Sequence, residues 1–148
     1  MVTNIEEFNT LDAFKLIEPK NTSCPGQVTQ CEFREKLLDM GVKPEKVTMD
    51  RIYLFFRRYN RSNNNLLRYS EFQDAICPVD PRLNQILRAR EVRTSNHEEA
   101  FGRHTFDEFL RLIDAMIECE VQMEAIRQTL RERKNFDVGK AFHTMAAA

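Results

Sequence analysis

Apolar residues recur along most of this chain at intervals of three and four, the spacing of one helix face, and strand-type alternation is nearly absent. Leu11, Phe14 and Ile17 predict a helix over residues 9 to 17, which Pro19 and the polar run 21 to 26 close. Phe33, Leu37, Leu38 and Met40 mark a second helix, with Gly41 placed for a left-handed turn just past its end. Lys43, Pro44 and Glu45 form a short linker. A third helix from about Thr48 turns Ile52, Phe55, Phe56 and Tyr59 inward; residues 60 to 65 are a polar turn; a fourth helix from Ser70 stops before Pro78. The pattern predicts an all-α fold whose first 78 residues alternate four helices with two compact loops.

Residues 79 to 134 read as a helical extension. Asp80 followed by Pro81 is an N-cap with proline at the first helical position, leading into Leu83, Ile86 and Leu87 on one face. Residues 93 to 100 are a polar loop, where His97-Glu98-Glu99 lacks the second histidine of a zinc-protease motif. Thr105-Phe106-Asp107-Glu108 has the form of a capping box and predicts the start of the longest helix, running to about Arg133 and on the order of 40 Å long. Phe109, Leu112, Met116, Cys119, Met123, Ile126 and Leu130 follow an unbroken 3,4 alternation along it. Phe106, Leu110, Ile113, Ile117 and Val121 add a second flank over the first half only. That half predicts burial on a broad face, with Phe109 and Ile113 in the core, and the distal half a narrow seam. Two readings of the stripe stand: it packs wholly within the chain, or the seam of Met116, Cys119, Met123, Ile126 and Leu130 binds another protein.

The net charge of −1, from 22 Lys and Arg against 23 Asp and Glu, offers no long-range field toward nucleic acid or an anionic membrane. No apolar run approaches the ~20 residues of a membrane span, and the first 20 residues lack a signal-peptide pattern. The expectation is a cytoplasmic chain, its Asn21-Thr22-Ser23 and Asn60-Arg61-Ser62 sequons chance matches. Cys24, Cys31, Cys77 and Cys119 have neither CxxC nor zinc spacing, so reduced thiols are expected. No Ser/His/Asp or Cys/His grouping and no glycine-rich phosphate loop is present, and His97, His104 and His143 all lie in the extension, which argues against an enzyme.

The loops carry the remaining chemistry. The stretch from Phe55 and Phe56 through Tyr59, Asn60, Ser62, Asn64, Asn65 and Leu67 to Glu71 and Phe72 closely resembles a calmodulin-like EF-hand whose aspartates are replaced by neutral amides. In that family twelve loop residues supply calcium oxygens from positions 1, 3, 5, 7, 9 and 12, around a sharp turn at position 6. With Glu71 as position 12, the vestigial ligand positions are Asn60, Ser62, Asn64, Leu66 and Arg68, Asn65 makes the turn, and Leu67 is the apolar position 8. A fainter first loop ends at Glu32, with Asn21, Ser23, Gln27 and Thr29 at ligand positions, Pro25 at position 5, Gly26 at the turn, Val28 at position 8 and Phe33 following. The resemblance implies one lobe, its loops joined by a short two-stranded contact through Val28 and Leu67.

Each loop offers one carboxylate where sensor sites present three or four, and Arg61 and Arg68 add positive charge, so the expectation is no cofactor; Ca2+ is the alternative. What the resemblance implies is a non-catalytic structural or adaptor module in a cytoskeletal assembly, with tubulin-associated proteins and the ciliary axoneme as candidate partners and place. A calmodulin-type sensor with weak sites is the alternative function. Residues 135 to 148 repeat the start of the chain: at an offset of 128, Phe136, Ala141, Phe142 and Met145 stand where Phe8, Ala13, Phe14 and Ile17 stand. They read either as a lone terminal helix or as the entering helix of another EF-hand unit.

Overall fold

The computed structural model describes residues 6–20, 24–62, 64–92 and 101–147. Helices dominate it: α1 (Thr10–Ile17), α2 (Gln30–Asp39), α3 (Met49–Tyr59), α4 (Tyr69–Ile76), α5 (Pro81–Arg88), α6 (Arg103–Glu132) and α7 (Val138–Ala147). Two three-residue strands, β1 (Gln27–Thr29) and β2 (Leu66–Arg68), pair antiparallel, and Val28 lies directly opposite Leu67. The mainly helical class expected from the sequence is the class observed.

Local chemistry sets the helix ends. The Asn9 side chain accepts the Asp12 N–H at 2.9 Å to open α1, and Asp80 accepts the N–H groups of Arg82 and Leu83 to open α5. Thr29 and Glu32 form a reciprocal capping box at the start of α2. Gly41, at φ +97°, lets the chain leave α2 while its N–H and that of Val42 satisfy the carbonyls of Leu38 and Leu37.

One aromatic core joins the elements. Phe33 stacks on Phe55 with ring centroids 5.0 Å apart, and Phe14 meets Phe72 at 5.4 Å. The core continues across residue 78: Leu87 of α5 and Phe109, Ile113 and Ile117 of α6 are all buried with it. Leu83 and Ile86, expected to share the inward face of α5 with Leu87, instead stay 37% and 44% exposed. Leu87 is the one residue of α5 that is buried.

The start of α6 also departs from expectation. The helix begins at Arg103 with Gly102 as its cap, and the Phe106 N–H already donates to the Gly102 carbonyl at 3.0 Å. Thr105 therefore lies inside the helix, and no capping box forms. Its hydroxyl donates to Glu7, which also accepts the Gly102 N–H at 3.0 Å, while Glu108 turns to Arg111 at 2.8 Å. A carboxylate distant in sequence takes over the role that the local motif was expected to fill.

Candidate functional site

Both loops turn through a left-handed residue at the expected place: Gly26 at φ +83° and Asn65 at φ +60°. Asn is the non-glycine residue that tolerates this conformation best, because its short amide bonds locally. Thirty-nine positions separate these turns, and the same offset relates Val28 to Leu67 and Glu32 to Glu71. The two glutamates do the same job: Glu32 accepts the Thr29 N–H at 3.2 Å, and Glu71 accepts the Arg68 N–H at 3.0 Å.

The second loop is closed by its own side chains. Glu71 is buried and its other oxygen accepts the Ser62 N–H at 2.9 Å. The Ser62 hydroxyl donates to Asn64 Oδ1 at 2.9 Å. The Asn60 amide nitrogen donates to Ser62 Oγ at 3.0 Å and to Glu71 Oε2 at 3.2 Å, and its oxygen accepts the Asn65 N–H at 3.0 Å. Asn60, Ser62, Asn64 and Glu71 thus converge, while Leu66 and Arg68 lie on β2. One formal negative charge, that of Glu71, stands among these side chains. Arg61 is drawn off to Asp74 at 2.7 Å.

In the first loop, Asn21 and Ser23 lie outside the described residues. Gln27 and Thr29 sit on β1 and Glu32 in α2. Glu18, which the loop pattern did not single out, reaches in to accept the Gly26 N–H at 2.7 Å. Among the described residues, no three His, Cys, Asp or Glu side chains form a metal-binding group.

The α6 seam separates into two parts. Phe109 and Ile113 are buried, as the overlap of two apolar flanks predicts, and Met116 packs half-buried against the core. Cys119 is exposed, Met123 and Leu130 are half-buried, and Ile126 is 60% exposed. The cause is length: α3 ends at Tyr59, and α6 runs on past it.

A ladder of ion pairs, invisible to apolar periodicity, fixes that overlap. Lys46 meets Asp114 at 3.5 Å, Arg51 meets Glu118 at 2.9 Å, Arg58 meets Glu120 at 3.5 Å and Arg57 meets Glu124 at 3.8 Å. From Lys46, just before α3, through Arg51 to Arg57 the partners advance from Asp114 through Glu118 to Glu124, so α3 and α6 run parallel, with Arg58 crossing back to Glu120. Glu120 is the buried member, its second oxygen 4.0 Å from Arg127. Burial, and then the neighbouring Glu120 charge, push the Tyr59 hydroxyl pKa above its ordinary value. The Arg127 hydrogen bond holds the Glu124 carboxyl below the usual glutamate range.

Beyond the ladder, α7 carries Phe142 at 71% and Met145 at 76% exposure, whereas Phe14 and Ile17 of α1 are fully covered. The offset of 128 extends to the backbone: Asp137 caps α7 by accepting the Lys140 N–H at 3.0 Å, as Asn9 caps α1, and the helices start at Val138 and Thr10. Compared with protein-family models, curated proteins and solved structures, the chain shows no match.

Proposed function

We propose that this chain is a degenerate paired EF-hand module that acts without catalysis, as a structural adaptor between proteins. The lobe reading draws support from the shared offset of 39 residues, which relates left-handed turns, paired apolar residues and capping glutamates in both loops. The adaptor reading rests on one observation above all: Ile126 and Leu130 continue the apolar register of Met123 past Glu124, the last α6 residue ion-paired to α3, and Ile126 stands exposed. The apolar face that such a lobe would offer a target is already filled in cis by Phe109, Ile113 and Ile117, so we look to the distal seam as a surface for a partner. A cytoskeletal setting, the ciliary axoneme included, follows from the resemblance and is part of the proposal.

Proximity labelling in cells tests the adaptor role. Met123→Lys with Ile126→Lys should lose the neighbours that the wild-type chain labels; an unchanged set of neighbours would reject the seam.

A second reading, a calcium sensor with weak sites, has one observation in its favour. Asn60, Ser62, Asn64 and Glu71 converge, and a turned Asn60 amide would add its oxygen to theirs. Calorimetric titration decides between the two, since a dissociation constant at or below about 10 μM would place the chain in the sensor range.

A further inference from the structure

Leu83, Ile86 and Leu87 share one face of α5, but the fold buries Leu87 alone and leaves the other two 37% and 44% exposed. The non-helical residues 77–80 and 89–92 flank the helix, and Val79 and Val92 within them are exposed as well. Hydrophobic burial therefore holds α5 through a single side chain. The rest of its hold on the core is polar and lies at its C-terminal end. Arg88 donates through Nη1 to Gln73 Oε1 at 2.8 Å and through Nη2 to Asp74 Oδ1 at 2.7 Å, both on α4, and Arg90 donates to the Phe8 carbonyl at 2.9 Å. Further side-chain bonds stay within the segment: Asp80 caps the helix, and Asn84 joins the Pro78 carbonyl at 3.0 Å and Arg88 Nε at 2.7 Å. The Arg88 and Asp74 side chains are 36% and 38% exposed, so water can replace their ion pair at small cost. Asp74 would not be stranded, because its other oxygen pairs with Arg61 at 2.7 Å.

We propose that α5 is a flap, which swings off α4 as one unit while the aromatic core stays packed, and that Leu87 and the Arg88 fork are its latch. An element opens at low cost when it buries few apolar side chains and its hydrogen bonds face solvent. Both hold for α5, which lends the core no residue but Leu87, whereas α3 buries Ile52, Phe55 and Phe56. Closed, the apolar stripe of α5 is divided between core and solvent. Opening brings Leu87 out beside Leu83 and Ile86, so a continuous apolar face exists in the open form alone. Neither flap nor latch depends on the calcium-loop register.

Native-state hydrogen exchange of the full chain, read by NMR at urea concentrations below the unfolding transition, tests the flap. The amides of Gln85 to Ala89 should exchange through an opening that depends weakly on urea, while those of Phe55 and Phe56 follow global unfolding with a steep dependence. Asp74→Ala removes one arm of the latch and should speed exchange in α5 by about fivefold, the scale of one exposed ion pair. The Arg61 pair is lost from the open and closed forms alike, so it cancels. Phe33→Leu weakens a core that both forms share. It should therefore speed exchange at Phe55 and Phe56 and leave α5 unchanged. If α5 shows the urea slope of α3, or speeds up with Phe33→Leu, it opens only with the whole chain, and the flap is overturned. If α5 ignores both Asp74→Ala and Leu87→Ala, its amides exchange by fraying in place, which overturns the latch and the flap together. The urea dependence needs no variant, so a substitution that fails to fold leaves the question decided by the wild-type chain.

Discussion

Phe72 and Phe109 meet edge to face with ring centroids 6.2 Å apart, and through this contact α4 grips the long helix α6. Phe109 also lies 6.1 Å from Phe8, so one side chain ties α6 to both ends of the first 78 residues. Truncating it removes aromatic contacts on two sides and leaves a cavity that the surrounding rings cannot collapse to fill. Phe109→Ala should cost about 3 to 5 kcal/mol in urea unfolding, and a loss below about 1 kcal/mol would mean that α6 is not integral to the core.

The distal seam should behave in the opposite way. Met123→Lys with Ile126→Lys alters positions beyond the core, where a lysine keeps its ammonium in water. Stability of the isolated chain should change by about 0.5 kcal/mol or less. A loss comparable to that of Phe109→Ala would show that the seam packs within the chain.

The four thiols sort by the same geometry. Cys24, Cys31 and Cys119 are exposed, whereas Cys77 is buried, and burial raises its pKa against the lowering influence of Arg88. A raised pKa means less thiolate at neutral pH and slower alkylation. Iodoacetamide should modify three cysteines quickly and reach Cys77 only on unfolding. Rapid fourfold modification would contradict the packing of the α4 end.

The elements that the sequence disclosed are those whose signals are local. Val28 opposite Leu67 was legible because turn residue, apolar residue and glutamate recur together at one offset, and three coincident signals determine a register. The Thr105 capping box failed because a motif read over four residues cannot see Glu7, nearly a hundred positions upstream, which claims both the threonine hydroxyl and the Gly102 N–H. The ladder from Lys46 to Glu124 was missed for a related reason. Its charges look like ordinary solvated residues on each helix, and only the parallel placement of α3 against α6 aligns them. Glu120 carried one available signal: it falls one turn beyond Met116 and Ile117, on the inward side of the helix, where a carboxylate needs a cation.

Exchange of Glu120 probes that ladder. It is the buried carboxylate between Arg58 and Arg127, yet both guanidinium partners are substantially exposed. Removing a partner from a fully buried pair strands a charge and costs several kcal/mol, but these arginines can return to water. Glu120→Gln should therefore cost only about 1 kcal/mol. It should also lower the pKa of the Tyr59 hydroxyl, because the largest charge that raises it, second only to burial, disappears. Spectrophotometric titration of Tyr59, in a chain with Tyr53 and Tyr69 changed to Phe, measures this shift. An unmoved Tyr59 would break the link between the ladder and the core.

The last prediction restores charge to the second loop. Under the proposed register its frame has a left-handed residue at Asn65, the Leu67 strand contact, and Glu71 placed to reach across the loop. What it lacks is negative charge, since Asn60, Ser62 and Asn64 are neutral. Changing these three to Asp and Asn65 to Gly supplies the missing carboxylates and relieves the backbone at φ +60°. The Asp side chains also cannot donate the hydrogen bonds that now close the loop on itself. This variant should bind calcium with a dissociation constant of about 10 μM or tighter, within the sensor range, and adding Glu71→Gln should weaken it sharply. The wild-type chain should show no binding of that strength. If the restored loop stays inert in calorimetry while circular dichroism reports an intact fold, Glu71 is not the twelfth position of a calcium loop, and the resemblance on which the lobe reading rests is lost.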